Sequence, residues 1–99
     1  MIKVRGWQVN PYEIEEAIKS GVAGVKDCAV VGIKSHTDGQ LPKAFVVGDV
    51  DEDEVINFVK ETFISYKHLC GVEVVEEIPR TPSGKIIRVK LSGELNPFL

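Results

Sequence analysis

Ile2-Lys3-Val4-Arg5-Gly6-Trp7-Gln8-Val9-Asn10-Pro11-Tyr12-Glu13-Ile14 changes its periodicity partway along. On each side of Gly6, apolar and polar residues alternate, which predicts two short strands around a turn or bulge. Alternation sets Lys3 and Arg5 on one face. From Asn10 onward the spacing becomes helical. Asn10 is placed to cap, Pro11 suits the first helical position, and Glu13 stands where a capping box needs a carboxylate. Val9 and Ile14 can staple across that start. Ile14, Ala17 and Ile18 make the apolar stripe, while Glu13, Glu15 and Glu16 face the positive end of the helix dipole. Gly21 is expected to stop the helix.

The rest of the chain extends this β-β-α start. Asp27 to Ile33 carries the apolar run Cys28-Ala29-Val30-Val31 and reads as a buried strand. Lys34 to Pro42 reads as a polar loop around Asp38-Gly39, and Lys43 to Val47 as the returning strand of a hairpin. A second helix is predicted after Asp51, with Glu54 in the box position and Val50 and Val55 repeating the staple. Val55, Val59 and Phe63 mark its buried face, with Ile56 beside them. Val72 to Ile78 reads as a further strand. Pro79 to Lys85 reads as an irregular loop, Ile86 to Leu91 as a last strand pair or a short helix, and Ser92 to Leu99 as a fraying end. The order β-β-α-β-β-α-β-loop predicts an α+β fold: a small mixed β-sheet with two or three helices packed on it.

Composition narrows the classes. Ninety-nine residues, 43% hydrophobic and 27% charged, predict one globular domain spanning 1–99 and exclude a disordered tail, a collagen-like repeat or a coiled coil. Twelve Lys and Arg against fifteen Asp and Glu leave a net charge of −3, a poor basis for binding nucleic acid through its phosphates. Cys28 and Cys70 have no metal spacing with each other or with His36 and His68, so free thiols in a reducing compartment and no metal site are expected. No stretch reaches the ~18 apolar residues of a membrane span. Met1-Ile2-Lys3 does not open a signal peptide, and Asn96-Pro97-Phe98-Leu99 is unlike the peroxisomal S-K-L signal. A cytoplasmic location is expected.

Few residues suggest chemistry on their own. In Pro79-Arg80-Thr81-Pro82-Ser83-Gly84-Lys85, two prolines stiffen the chain and Gly84 permits positive φ, so Lys85 is held out as a point charge suited to phosphate or to charge developing on oxygen. It is not a P-loop: Ile86 follows Lys85 where Ser or Thr is needed. By itself the segment also fits an ordinary surface turn. Lys3, Arg5 and Gln8 flank Gly6 and Trp7, a glycine-opened polar face that equally fits a solvated strand. Gly21-Val22-Ala23-Gly24 has the G-x-x-G spelling of KH domains but no basic residue within it.

Taken together and in order, these segments resemble a known family. Residues 2–15 resemble I-K-x-x-G-x-Q-V-x-P-x-E-I-E, and residues 79–85 resemble P-[RK]-T-x-[ST]-G-K. Between them, Asp27-Cys28-Ala29-Val30-Val31-Gly32 and Gly39-Gln40-Leu41-Pro42-Lys43-Ala44-Phe45-Val46 fit D-x-A-V-V-G…G-E-x-P-x-A-F-V, and Tyr66-Lys67 resembles the Y-K before the last strand. This is the pattern of the C-terminal lid domain of the AMP-forming adenylating superfamily, which includes acyl-CoA synthetases, 4-coumarate–CoA ligases and firefly luciferase. The resemblance spans about residues 2–91. It implies that Lys85 is the catalytic lysine of adenylation, that Lys3 and Gln8 join Lys85 in contacting ATP or the adenylate, and that Arg5 and Gly6 line the path of CoA. It also implies a large N-terminal adenylating domain as partner, not contained in this sequence, which carries the phosphate loop and most of the contacts to Mg2+. The substrates implied are a carboxylic acid, ATP and CoA, and the 99 residues alone are expected to be inactive. The alternative is a non-enzymatic stand-alone module that binds protein or, less readily, nucleic acid.

Overall fold

The computed structural model describes residues 1–92. Ile2–Val4 (β1) and Trp7–Val9 (β2) pair antiparallel, with Ile2 opposite Val9, Lys3 opposite Gln8 and Val4 opposite Trp7. Ile2, Val4 and Val9 point into the core and the charged positions point out, as the alternation requires. The first helix, α1, spans Pro11–Gly21, and Asn10 Oδ1 accepts from the Tyr12 amide at 2.9 Å. The capping box is not completed by Glu13, whose carboxylate instead meets Lys67 Nζ at 2.6 Å.

Val25–Ser35 (β3) and Gly39–Gly48 (β4) form an antiparallel hairpin longer than the sequence suggested. The expected loop from Lys34 to Pro42 shrinks to His36-Thr37-Asp38. Asp38 closes it: its Oδ2 accepts from Thr37 Oγ1 at 3.1 Å and Ser35 Oγ at 3.3 Å, and its amide donates to Ser35 Oγ at 3.2 Å. Gly39, at φ +79°, supplies the left-handed residue of such a three-residue connection. Pro42 is tolerated inside β4 because Gly32 and Pro42 form a non-hydrogen-bonded pair. Its missing N–H faces the gap between β1, which reaches β4 only at Gly39, and the fifth strand, which begins opposite Lys43.

Glu52–Thr62 (α2) is capped by Asp51, whose Oδ1 accepts from the Asp53 amide at 2.9 Å. Phe63 is the C-cap of this helix and, half-buried, packs against the core. A 3₁₀ turn at Ser65–Lys67 leads into Gly71–Val74 (β5), which runs parallel to β4 and makes the sheet mixed. The strand ends before the expected Ile78: after the Val75 amide donates to Val46 O at 2.8 Å, Glu76-Glu77 lead the chain to solvent. Strands run β2-β1-β4-β3 with β5 also beside β4, which leaves β3 at an edge. Of the two alternatives for the last segment, the short helix forms, α3 at Arg88–Ser92, and in place of a strand pair there is only an isolated bridge between Arg80 and Ile86 among the described residues. The tail expected to fray lies, past Ser92, outside the described residues.

The core joins Val4, Val9, Ile14, Ile18, Cys28, Val30, Ala44, Val46, Val55 and Val59, all fully buried. Both glycines of Gly21-Val22-Ala23-Gly24 have packing reasons. A Cβ on Gly21 would strike the Phe58 ring of α2, so this glycine permits helix approach rather than a left-handed stop. Gly24, at φ +91°, lies against the Asp49 carbonyl.

Candidate functional site

The residues implied as functional form two groups at opposite ends of the β3–β4 hairpin. At one end, Lys3 and Gln8 are direct cross-strand neighbours on the exposed face of β1–β2. Neither side chain has a partner among the described residues. The Lys3 amide donates to Gln40 Oε1 at 2.9 Å, tying the ribbon to β4. Arg5 and Gly6 make the turn, with φ of 47° and 85°. The open space around Gly6 leaves its backbone accessible. Arg5 is not a loose cation. Its amide donates to Asp38 O at 2.8 Å and its Nη1 to Asp38 Oδ1 at 2.9 Å. That guanidinium bond, helped by Thr37, holds the Asp38 carboxyl below the usual carboxylate range. Trp7, next to the turn, is 59% exposed and stacks on Tyr66 at 4.9 Å between ring centroids.

At the other end stands the Lys85 turn. It is not an irregular loop. The Thr81 amide donates to Lys85 O at 2.8 Å, the Gly84 amide to Thr81 O at 2.9 Å, and the Lys85 amide to Thr81 Oγ1 at 3.2 Å. Gly84 takes φ +91°, as the turn requires. Arg80 fastens it from below: Nη1 donates to Gly84 O at 2.7 Å while Nη2 meets Asp27 Oδ1 at 2.7 Å and Oδ2 at 2.9 Å. Lys85 itself is exposed, with no partner for its ammonium among the described residues. A free ammonium on a fixed backbone suits charge stabilisation on an oxygen brought to it. The anchors mark the separation. From Asp27 to Ser35, at the base of the Asp38 turn, β3 rises about 26 Å.

A third cluster was not anticipated. Glu15, read from its position as one of the carboxylates facing the helix dipole, is only 2% exposed. Its Oε2 accepts from the Val30 amide at 2.7 Å and from Arg88 Nη1, and its Oε1 accepts from Arg88 Nη2 at 3.2 Å. Arg88 Nη1 also donates to Val30 O at 2.7 Å, and the guanidinium lies over the Tyr12 ring at 4.8 Å. Together the two side chains satisfy the outward N–H and C=O of an edge-strand residue, as a neighbouring strand would. Partial burial works against the Arg88 charge, but the Glu15 carboxylate outweighs it and raises its pKa. Glu15 closes the motif of residues 2–15, while Arg88 lies three positions past the motif of residues 79–85, and nothing in their spacing pointed to the pair.

The remaining reactive groups are otherwise engaged or isolated. His68 Nε2 lies 2.7 Å from Phe63 O, and His36 is exposed in the hairpin turn. Cys28 is buried and Cys70 exposed, both as free thiols. Among the described residues, no three His, Cys, Asp or Glu side chains gather as a metal site, and no helix is long and apolar enough to cross a membrane.

Comparison with known proteins agrees with this arrangement. Residues 13–85 match the AMP-binding enzyme C-terminal domain. The chain is 42% identical to 4-coumarate:CoA ligase 1 of Petunia hybrida and 41% identical to acyl-CoA synthetase ACTT5 of Alternaria alternata, over 96% and 89% of its length. It superposes on Mycobacterium tuberculosis fatty acyl CoA synthetase with a TM-score of 0.85 and 36% identity, over 95% of this chain and 19% of that one. The chain spans only 18% of the Petunia protein and 16% of the Alternaria protein. A match over most of the chain, in sequence and in fold, means that this protein belongs to the AMP-binding enzyme C-terminal domain family, the C-terminal domain of the AMP-forming adenylating superfamily.

Proposed function

We propose that this chain is the mobile catalytic lid of an acyl-CoA ligase, acting with a large N-terminal adenylating domain. The ligase activates a carboxylic acid with ATP to an acyl-AMP and then passes the acyl group to CoA. The observation that carries the reading is the free Lys85 ammonium on a turn fixed by its own backbone and by Arg80, in a chain of this family. When a carboxylate attacks the α-phosphate and the bond to the leaving pyrophosphate breaks, the attacking carboxylate and the α-phosphoryl oxygens crowd negative charge together, and charge passes to the pyrophosphate. A compact cation bridging them lowers the barrier without moving a proton. Lys3 and Gln8, paired on the β-ribbon, contact the adenylate. Arg5 and Gly6 line the path of the CoA pantetheine, where a glycine leaves room for a narrow chain. Mg2+ accompanies ATP and is held mainly by the N-terminal domain. ATP and CoA as substrates fit a cytoplasmic location. The relatives' names, 4-coumarate:CoA ligase and fatty acyl CoA synthetase, support a carboxylic acid as the acyl donor.

The test separates the half-reactions in the full-length ligase carrying this domain. Lys85→Ala should slow acyl-AMP formation by about 10²–10³-fold, comparable to losing one preorganised electrostatic group. Thioester formation from supplied acyl-AMP should survive. Adenylation by Lys85→Ala at the wild-type rate would make the loop an ordinary surface turn.

A further inference from the structure

Among the described residues, none pairs with the Lys85 ammonium to aim it, so its position is set by what holds the segment 80–88 to the rest of the fold. Two arginines do this, one on each side of the lysine. Arg80 grips Asp27 near the start of β3, an exposed pair that water and salt weaken. Arg88, itself half-buried, reaches the buried Glu15 of α1 and the Val30 carbonyl, in a site where the carboxylate is withdrawn from water. Both grips are bidentate toward their carboxylate. The second is the stiffer one because its carboxylate is buried, also accepts from the Val30 amide, and holds a guanidinium roofed by Tyr12.

We propose that Glu15 and Arg88 are positioning residues for adenylation: their buried ion pair, built onto the edge of β3 at Val30, fixes the base of the turn that presents Lys85. This rests on the assignment of Lys85 made above. Neither residue touches substrate. Their effect arises because a displacement of about 1 Å at a reacting group costs on the order of 10²-fold in rate. Arginine is required at 88 because a planar fork can hold Glu15 and the Val30 carbonyl together under an aromatic ring. A lysine would neutralise Glu15 but satisfy fewer of these acceptors.

The experiment uses the full-length ligase with four variants: Arg88→Lys, the neutral pair Glu15→Gln/Arg88→Gln, Lys85→Ala, and Lys85→Ala/Arg88→Lys. Arg88→Lys keeps the charge balance, and the neutral pair leaves no unpaired buried charge, so at least one fold-preserving route is available. Each is assayed for acyl-AMP formation, for thioester formation from supplied acyl-AMP, and for amide exchange of Gly84 and Lys85 against that of α2. Arg88→Lys should lower kcat for adenylation about 10-fold with KM for ATP within about 3-fold, and the neutral pair about 10–10²-fold. Thioester formation should stay within about 3-fold, and exchange should rise at Gly84 and Lys85 but not in α2. On the Lys85→Ala background, Arg88→Lys should cost nothing more, since nothing remains to be positioned. Wild-type adenylation in both folded variants, or equal loss of both half-reactions, overturns the positioning role. So does a further loss from Arg88→Lys once Lys85 is gone. Lys85→Ala retaining full adenylation instead overturns the assignment of Lys85, a distinguishable result.

Discussion

At the scale of single residues, the chemistry depends on which side chains are engaged and which are free. Lys85 is exposed with no ammonium partner among the described residues, so its loss should leave stability within about ±0.5 kcal/mol even as adenylation collapses, and a melting curve on Lys85→Ala checks this. Lys85→Arg should rescue poorly, because a planar fork on a longer arm does not reproduce a compact ammonium between carboxylate and phosphate. The thiols give a second contrast. Burial, followed by the nearby Glu15 and Asp27 charges, pushes Cys28 from 9.0 up to about 12. At pH 8 its thiolate fraction is then on the order of 10⁻⁴, so iodoacetamide should label exposed Cys70 and spare Cys28 in the native chain, as read by peptide mass. Because the folded value is raised, the neutral thiol stabilises the fold below 9.0, and that contribution is lost as pH rises toward about 12. Lys85 was legible in the sequence because its neighbours Pro79, Thr81 and Gly84 form a compact local signature. Glu15 and Arg88 were not, since 73 positions separate them and an acidic residue in a first helical turn looks solvated.

At the scale of elements, short turns are held by partners distant in sequence. The β1–β2 ribbon, α1 and α2 follow from periodicity and caps, and they form where those signals fall. The length of the β3–β4 hairpin did not: Lys34 to Pro42 reads as a polar loop, and β4 carries Pro42 only because a gap in the sheet, set by distant strands, gives its missing N–H a place to point. The Gly6 turn was legible as a turn, but its anchor, Asp38, lies 33 positions away. Asp38 titrates below the usual carboxylate range, chiefly through Arg5, so its charged form favours the folded turn. That contribution is present at neutral pH and disappears as pH falls through the lowered value. A carboxyl-carbon NMR titration should find Asp38 below the ordinary value of about 3.9, and Arg5→Gln should move it upward. Gly6→Trp should fold with a modest loss, on the order of 1–2 kcal/mol for a side chain at positive φ, since open space surrounds the site. In the full ligase it should block thioester formation and spare adenylation. Equal loss of both half-reactions, with the fold intact, would contradict the division of labour between the two turns.

At the scale of the whole molecule, the domain has one continuous core, and on the proposed function it supplies only part of an active site. The purified chain should unfold cooperatively, yet release no AMP from ATP and a carboxylic acid and bind ATP only weakly, because one lysine and a few exposed polar groups do not make an enclosing pocket. Calorimetry and an AMP-release assay on the chain alone check both halves, and robust acyl-AMP synthesis would refute the second. The hairpin that separates the Asp27 and Asp38 anchors has a further consequence. Two turns about 26 Å apart along β3 cannot both touch one small reacting centre. On the proposed assignment of the two turns, the hairpin would work as an interlock: the turn proposed for CoA would gain access only when the lysine turn has left, and the order of the two steps would be kept by length rather than by affinity. A substitution that favours one docked pose should speed its own step and slow the other, while the equilibrium of the overall reaction stays where the reactants and products set it.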